Sequence, residues 1–363
     1  MKPLAGLKVV DLTRVLAGPI ATQILADLGA DVTKIERPGA GDDTRAWGPP
    51  FLKDRQGNDT SESAYFLAAN RGKKIVTLDL AKPVDQATVH AMLKDADILV
   101  ENFKVGSLAK YGLGYDQLKD RYPRLIYASI TGFGQTGPLS TEPGYDFIAQ
   151  GMSGLMSMTG PVDGPPTKAG VAVSDYVTGL YAVIGILAAV QSRSQTGRGQ
   201  HIDLALLDCT IAMMTNLAQS YLTSGIVPPR VGNAHPSIVP YQDFAAADGR
   251  VIIAVGNDHQ FRILAQLCGH PEWADDARFA TNRARVEHRD ALIALIAPVI
   301  KARRVAEWVA DLRAADIPVG PILRLDQVFA EPQVIAREMV MNVHHQGTDQ
   351  DIKLVGSPIK MDR

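Results

Sequence analysis

The sequence predicts an α/β protein in which a doubly wound, Rossmann-like parallel sheet domain is followed by a smaller α/β domain. Over the first 200 residues, short runs rich in β-branched residues alternate with single helical patterns. That order yields parallel strands joined by crossovers, with the sheet covered on both faces. VPPRVGNAHPSIVPYQ (227–242) then interrupts the pattern with proline and glycine, and a second series of strand and helix signals starts beyond it. A chain of 363 residues also exceeds the usual ~100–200 residues of one domain.

In order, LKVVDL (7–12) reads as a strand, PIATQILADLG (19–29) as a helix stopped by Gly29, and DVTKIE (31–36) as the next strand. KIVTLDL (74–80), a helical VDQATVHAMLKDA (84–96), DILVEN (97–102) and RLIYASITGFG (124–134) continue the alternation. GVAV (170–173) reads as a short strand leading into a helical YVTGLYAVIGILAAVQ (176–191), which TGRGQ (196–200) ends with glycine and a basic residue. HIDLALLDCTIAMMTNLAQSYLTSG (201–225) has a strand-like start and then one long apolar helix. DGRVIIAVGND (248–258) opens the second unit, with helices near 259–270, 290–302 and 304–314 before IPVGPILRLDQVF (317–329). The division is a large domain over 1–200, a linker helix over 201–226, a small domain over 227–330 and a return segment, 331–363, toward the large domain.

Hydrophobic content of 46% with 21% charge is ordinary for a soluble globular chain. A formal charge of −2 argues against nucleic acid bound by bulk electrostatics. Cys209 and Cys268 form no C-x-x-C pair and suit a reducing cytoplasm. Asp11 interrupts the N-terminus before a signal peptide could develop, and the longest apolar run, Tyr181 to Val190, is about half the ~20 residues of a membrane span. The reading is a cytoplasmic protein with no membrane and no nucleic-acid partner.

The first turn, TRVLAGP, lacks G-x-G-x-x-G, so nicotinamide binding is demoted although Glu36 stands where a ribose-binding acid would. Arg37 follows at the strand's carboxyl end, where open α/β sheets bind ligands, and is otherwise a surface or salt-bridge residue. Arg71, Lys73 and Lys74 precede one strand, while Asn102, Phe103, Lys104 and Lys110 follow another. If they converge, they make a crevice for a ligand with several phosphates and an adenine against Phe103; if not, they are solvated charge. The long loop GFGQTGPLSTEPGYDFIAQG holds Tyr145 and Asp146. Asp175 stands alone between apolar runs and has two readings: a helix N-cap, or a carboxylate placed in a dry site to attack a thioester. No H-E-x-x-H or G-x-S-x-G occurs, no metal site is expected, and His235 in GNAHP reads as structural.

LKVVDLTRVLAGPIATQILADLGADVTKIERPGAGDDTR, ADILVENFKVGSLAKYGLGYDQL, RLIYASITGFGQTGP, PGYDFIAQGMSGLMSMTG, VSDYVTGLYA, TGRGQHIDLALLD and GNAHPSIVPYQDF together cover nearly the whole chain. This series of blocks resembles family III CoA-transferases, the group of formyl-CoA transferase, carnitine CoA-transferase and α-methylacyl-CoA racemase. The resemblance implies that Asp175 is the nucleophile and that the large domain binds CoA. It places Leu16 and Ala17 in the first turn, Arg37 at the phosphates, and Leu78, Asp79 and Leu80, Asn102, Phe103, Lys104 and Lys110 around CoA, with Gly144, Tyr145 and Asp146 near the reacting centre. It also implies an interlocked-ring homodimer, with no cofactor beyond the CoA substrate itself.

Formyl-CoA transferase has glutamine where Leu16 stands and a glycine-rich lid where this chain has GNAHPSIVPYQ, which points away from oxalate. Family members also continue for several dozen residues past the position of SPIKMDR, through a G-E-H-T-like motif. GDDTRAWGPPF, NAHPSIVPYQ and VGNDHQF look most like the branch that exchanges CoA between succinyl-CoA and other dicarboxylates. The alternatives are formyl-CoA or acetyl-CoA:oxalate transfer, α-methylacyl-CoA racemisation, and noncatalytic acyl-CoA binding in which Asp175 only caps its helix. Racemases of this fold carry histidine where Tyr145 stands, and no histidine occurs between positions 90 and 201.

Overall fold

A computed structural model describes residues 2–361. Two compact units are built from discontinuous segments. The larger takes the chain up to residue 156, then 168–228 and the chain from 335 onward; the smaller takes 157–167 and 229–334.

The larger unit is centred on six parallel strands: β1 (Lys8–Asp11), β2 (Asp31–Glu36), β3 (Lys74–Thr77), β4 (Ile98–Glu101), β5 (Ile126–Thr131) and β6 (His201–Ala205). Their order is β3-β2-β1-β4-β5-β6, and each neighbouring pair is parallel. The winding reverses between β1 and β4, so the loops leaving those two strands diverge and open a crevice at their carboxyl ends.

Alternation along the strands assigns the two faces. Val9, Ile98, Val100 and Ala128 pack on one side against α1 (Ala17–Asp27) and α4 (Val173–Thr196), and Val10, Leu99 and Tyr127 on the other against α2 (Pro83–Leu93). Leu25, Ile98 and Ile186 are wholly buried there, each worth about 1.5–3 kcal/mol relative to an exposed position. With α3 (Asp146–Met152), α5 (Leu206–Met213) and α6 (Thr215–Ser224), these helices complete the scaffold. The 24-residue α4 is long and apolar enough to cross a membrane by length and composition, but core helices of soluble proteins pass the same test, and α4 lays one face on α1.

The smaller unit has an antiparallel sheet of β7 (Tyr241–Ala245), β8 (Arg250–Ala254) and β9 (Val319–Pro321), with β8 central. It packs with α7 (Asp258–Leu267), α8 (Arg289–Lys301) and α9 (Val305–Ala314) around Phe261, Phe279, Leu292, Ile296 and Trp308.

Three local expectations differ from the structure. GVAV forms no strand: Gly170 to Ala172 are irregular and Val173 already opens α4. The apolar pattern over 201–225 is not one linker helix. Its first five residues are the sheet's edge strand β6, and the helix breaks between Met213 and Thr215, where Thr215 has φ of 39°. Residues 157–167, read as part of the large domain, belong to the smaller unit, where Arg230 donates to the carbonyls of Pro161 and Gly164.

Candidate active site

Asp175 is the third residue of α4, after Ala172 as N-cap, Val173 and Ser174. Its carboxylate does not cap the helix, because the capping position is already filled. Asp146, the first residue of α3, accepts from the Ser174 amide at 2.8 Å, and Gln150 Nε2 steadies its other oxygen at 2.7 Å. Asp175 is 9% exposed and has no hydrogen-bond partner among the described residues. Burial first, and then the neighbouring Asp146 carboxylate, push the Asp175 carboxyl up to about 7. A carboxylate kept this poorly solvated is a stronger nucleophile than one ringed by donors.

The helix approaches α1 closely at this end. A Cβ on Gly179 would lie 2.8 Å from the Ala17 carbonyl oxygen, so only glycine lets the second turn of α4 meet the start of α1. A second close approach fixes α3. Gly132, just after β5, and Gly144 lie so near that a Cβ on Gly132 would sit 2.5 Å from the Gly144 Cα. The 133–143 loop is therefore pinned at both ends, with Tyr145 and Asp146 emerging from the pin.

Asp175 opens onto a cleft of about 190 Å³ at the crevice between β1 and β4. Of the positions singled out in the sequence, Leu16, Ala17, Asn102, Phe103, Lys104, Gly144 and Tyr145 line it with Asp175. A neighbouring cleft of about 180 Å³ holds Arg37, Leu78, Asp79 and Leu80, and the two share Arg14 and Phe103 as walls. Lys110 lines neither; its Nζ lies 4.7 Å from the centre of the Tyr111 ring, which borders the second cleft. Asp146 also lies outside both and acts through the end of α4.

The other basic residues do not converge. Arg71 pairs with Asp27 and donates to the Val355 carbonyl, Lys74 pairs with Asp31 on the surface, and Lys73 is buried. Sequence composition could not tell these structural cations from ligand-binding ones. His235 lies in the smaller unit, where its ring packs 5.2 Å from Tyr241 and its Nδ1 accepts the Ser237 amide. Among the described residues no cluster of three or more His, Cys, Asp or Glu side chains could hold a metal.

Sequence reasoning missed Arg14 and Val15. Val15 lines the cleft with φ of 70°, a left-handed conformation that costs a β-branched residue roughly 1–3 kcal/mol. Beneath it lies a buried ionic lattice. Asp11 accepts from Thr13 Oγ1 at 2.6 Å, Thr22 Oγ1 at 2.6 Å and Lys73 Nζ at 3.1 Å. Lys34 meets Asp42 at 2.9 Å, with both side chains fully buried. A lysine between Val32 and Ile35, in the middle of the strand DVTKIE, was the one available signal. The amides of Leu16 and Ala17 have no acceptor among the described residues, as befits the start of a helix.

The family profile for CoA-transferase family III matches residues 4–363. The chain belongs to that family. The succinate–glutarate CoA-transferase of Agrobacterium fabrum is 47% identical, covering 99% of this chain and 92% of its own. The succinyl-CoA:glutarate CoA-transferase of Mus musculus is 45% identical over 95% of this chain and 78% of its own. The crystal structure of a CaiB/BaiF family protein from Brucella suis superimposes with a TM-score of 0.86 at 49% identity, covering 99% of this chain and 92% of that one. A family III CoA-transferase exchanges CoA between an acyl-CoA and a free acid.

Proposed function

We propose that this family III CoA-transferase moves CoA from succinyl-CoA to a second dicarboxylic acid such as glutarate, with Asp175 as the nucleophile. The observation that carries the reading is a buried carboxylate without hydrogen bonds at the mouth of α4, in a helix end that Asp146 already caps. That occupancy removes the main support for a noncatalytic binder in which Asp175 serves as the cap. Racemisation finds no support either, since the lining of the Asp175 cleft includes Tyr145 and no histidine. The names of the Agrobacterium and mouse relatives support the succinate and glutarate pair.

An Asp175 oxygen attacks the succinyl carbonyl carbon. The new C–O bond forms as the C–S bond breaks, leaving an aspartyl-succinyl anhydride and CoA thiolate. The thiolate then attacks the aspartyl carbonyl; a C–S bond forms, the anhydride C–O bond breaks, and succinate departs. The acceptor carboxylate attacks the resulting aspartyl-CoA thioester, and the same two steps run in reverse. Each tetrahedral oxyanion needs donors, and the unpaired Leu16 and Ala17 amides supply them at the cleft wall, each such donor being worth about 3 kcal/mol in comparable sites. Arg37, with Leu78 to Leu80 in the adjoining cleft, takes the nucleotide end of CoA, and Phe103 on the shared wall takes its adenine or pantetheine.

We further assign a homodimer in the cytoplasm. Tyr176, Leu180, Tyr181 and Ile184 leave an apolar stripe of α4 exposed that a second copy would cover, and both cysteines are free. Mass measurement in solution checks the dimer. The function is tested by incubating the protein with succinyl-CoA and a panel of acids and following new CoA esters. Hydroxylamine or borohydride trapping should mark Asp175 during turnover. An Asp175→Ala variant that still exchanges CoA would falsify the assignment.

A further inference from the structure

Between β1 and α1, side chains hold the amide and carbonyl of Thr13, the amide and carbonyl of Arg14 and the amide of Val15. Asp11 accepts the Thr13 amide at 2.8 Å, and Lys34 Nζ donates to the Thr13 carbonyl at 2.7 Å. Asn102 accepts the Arg14 amide at 3.0 Å and donates to its carbonyl at 2.7 Å. The last hold is the Val15 amide, which Asp42 Oδ1 accepts at 3.2 Å. The same oxygen receives the Thr44 amide and hydroxyl at 3.0 and 2.8 Å, so Thr44 fixes its direction. A left-handed turn is normally given to glycine, which needs no such clamp. Here a valine takes it with φ of 70°, above a lysine and an aspartate that no solvent reaches.

We propose that Lys34 and Asp42 are positioning residues for CoA transfer: their buried pair locks Val15 in the left-handed conformation and so sets where the free Leu16 and Ala17 amides stand relative to the Asp175 carboxylate. Lys34 and Asp42 border the adjoining cleft with side chains that no solvent reaches and do not line the Asp175 cleft, so toward the reacting atoms they act through the turn. The turn ends where α1 meets α4 at Gly179, which makes any change at Val15 a change in the gap that the acyl group must occupy. The proposal rests on Asp175 being the nucleophile.

The test is a rescue. Asp42→Ala removes the acceptor of the Val15 amide and should lower kcat for succinyl-CoA:glutarate exchange about 10- to 100-fold while KM for succinyl-CoA stays within about threefold. Adding Val15→Gly removes the side-chain penalty that made the clamp necessary, and the double variant should regain at least about fivefold in kcat over Asp42→Ala. Raising the melting temperature of Asp42→Ala with sucrose to that of the unsubstituted protein should leave kcat low. A double variant no faster than Asp42→Ala, or full recovery of kcat in sucrose, overturns the proposal. If Asp42→Ala does not fold, Thr44→Val loosens the same oxygen and carries the same pair of measurements. Trapping separates the two assignments: no adduct at Asp175 in the unsubstituted protein sinks the nucleophile reading. An adduct that forms equally fast with and without Asp42→Ala sinks only this one.

Discussion

Two aspartates on either side of α1 live in the same dry interior and titrate in opposite directions. Asp11, at the end of β1, is fully buried, and burial alone would raise its carboxyl. Lys73, Lys34, Thr13 and Thr22 outweigh that and hold it below its ordinary 3.8. Asp175 at the head of α4 receives no donor, and burial with Asp146 behind it pushes the carboxyl up to about 7. Depth is shared, and the supply of donors decides the outcome. Asp11 is locked as a strut under the first turn. Asp175 keeps its lone pairs free of any donor among the described residues.

The widest separation between the two should appear in turnover. Asp175→Ala is expected to reduce exchange by on the order of 10³-fold or more while CoA still binds, measured by ester formation and by calorimetry. Asp11→Ala should instead cost stability, about 3–5 kcal/mol in urea unfolding, because it strips the buried Lys73 ammonium of its counter-ion. Burial already lowers Lys73 to about 8, so the loss should shrink at alkaline pH as the lysine sheds its proton.

The linkage signs sharpen the contrast. The folded carboxyl of Asp175 titrates above the unfolded value of 3.8, so between 3.8 and about 7 the native state keeps a proton that the unfolded chain releases. Stability from this group therefore falls as pH rises through that window. Asp175→Asn should stabilise the protein by at most roughly 4 kcal/mol near pH 8 and by almost nothing near pH 4. Asp11 runs the other way: its contribution is present above 3.8 and is lost as pH falls through its depressed folded value. A denaturation series across pH that moves both in one direction would break the comparison. The smallest effect belongs to Asp146→Asn, which keeps an acceptor for the Ser174 amide while removing the charge beside Asp175. The acid limb of kcat/KM should move to lower pH, at a stability cost of about 1–3 kcal/mol because the new amide nitrogen faces the Gln150 Nε2 donor.

Strand and helix order was legible because burial imposes period on a sequence: DVTKIE and DILVEN are strands as read, and the crevice between β1 and β4 follows from winding alone. Eight of the positions implied by the family resemblance line the Asp175 cleft, and five line its neighbour, Phe103 being common to both. What escaped the sequence was pairing across distance. Lys34 and Asp42 lie close in the chain, yet nothing in their spacing says that they meet beneath Val15, and Asp146 gives no local sign that it caps a helix beginning at Val173. Lys73 and Arg71 were misjudged for the same reason, since Asp11 and Asp27 neutralise them from another segment. GVAV failed because four apolar residues can introduce a helix as readily as form a strand.

The contact between Gly132 and Gly144 separates two kinds of change in this protein. Residues between them can change with the ends still clasped, so the part of the cleft wall formed by Ser140, Glu142 and Pro143 can vary without moving Asp146. A side chain at either glycine does the reverse: it prises α3 off its seat, withdraws Asp146 from the Ser174 amide and unsettles Asp175 from a distance.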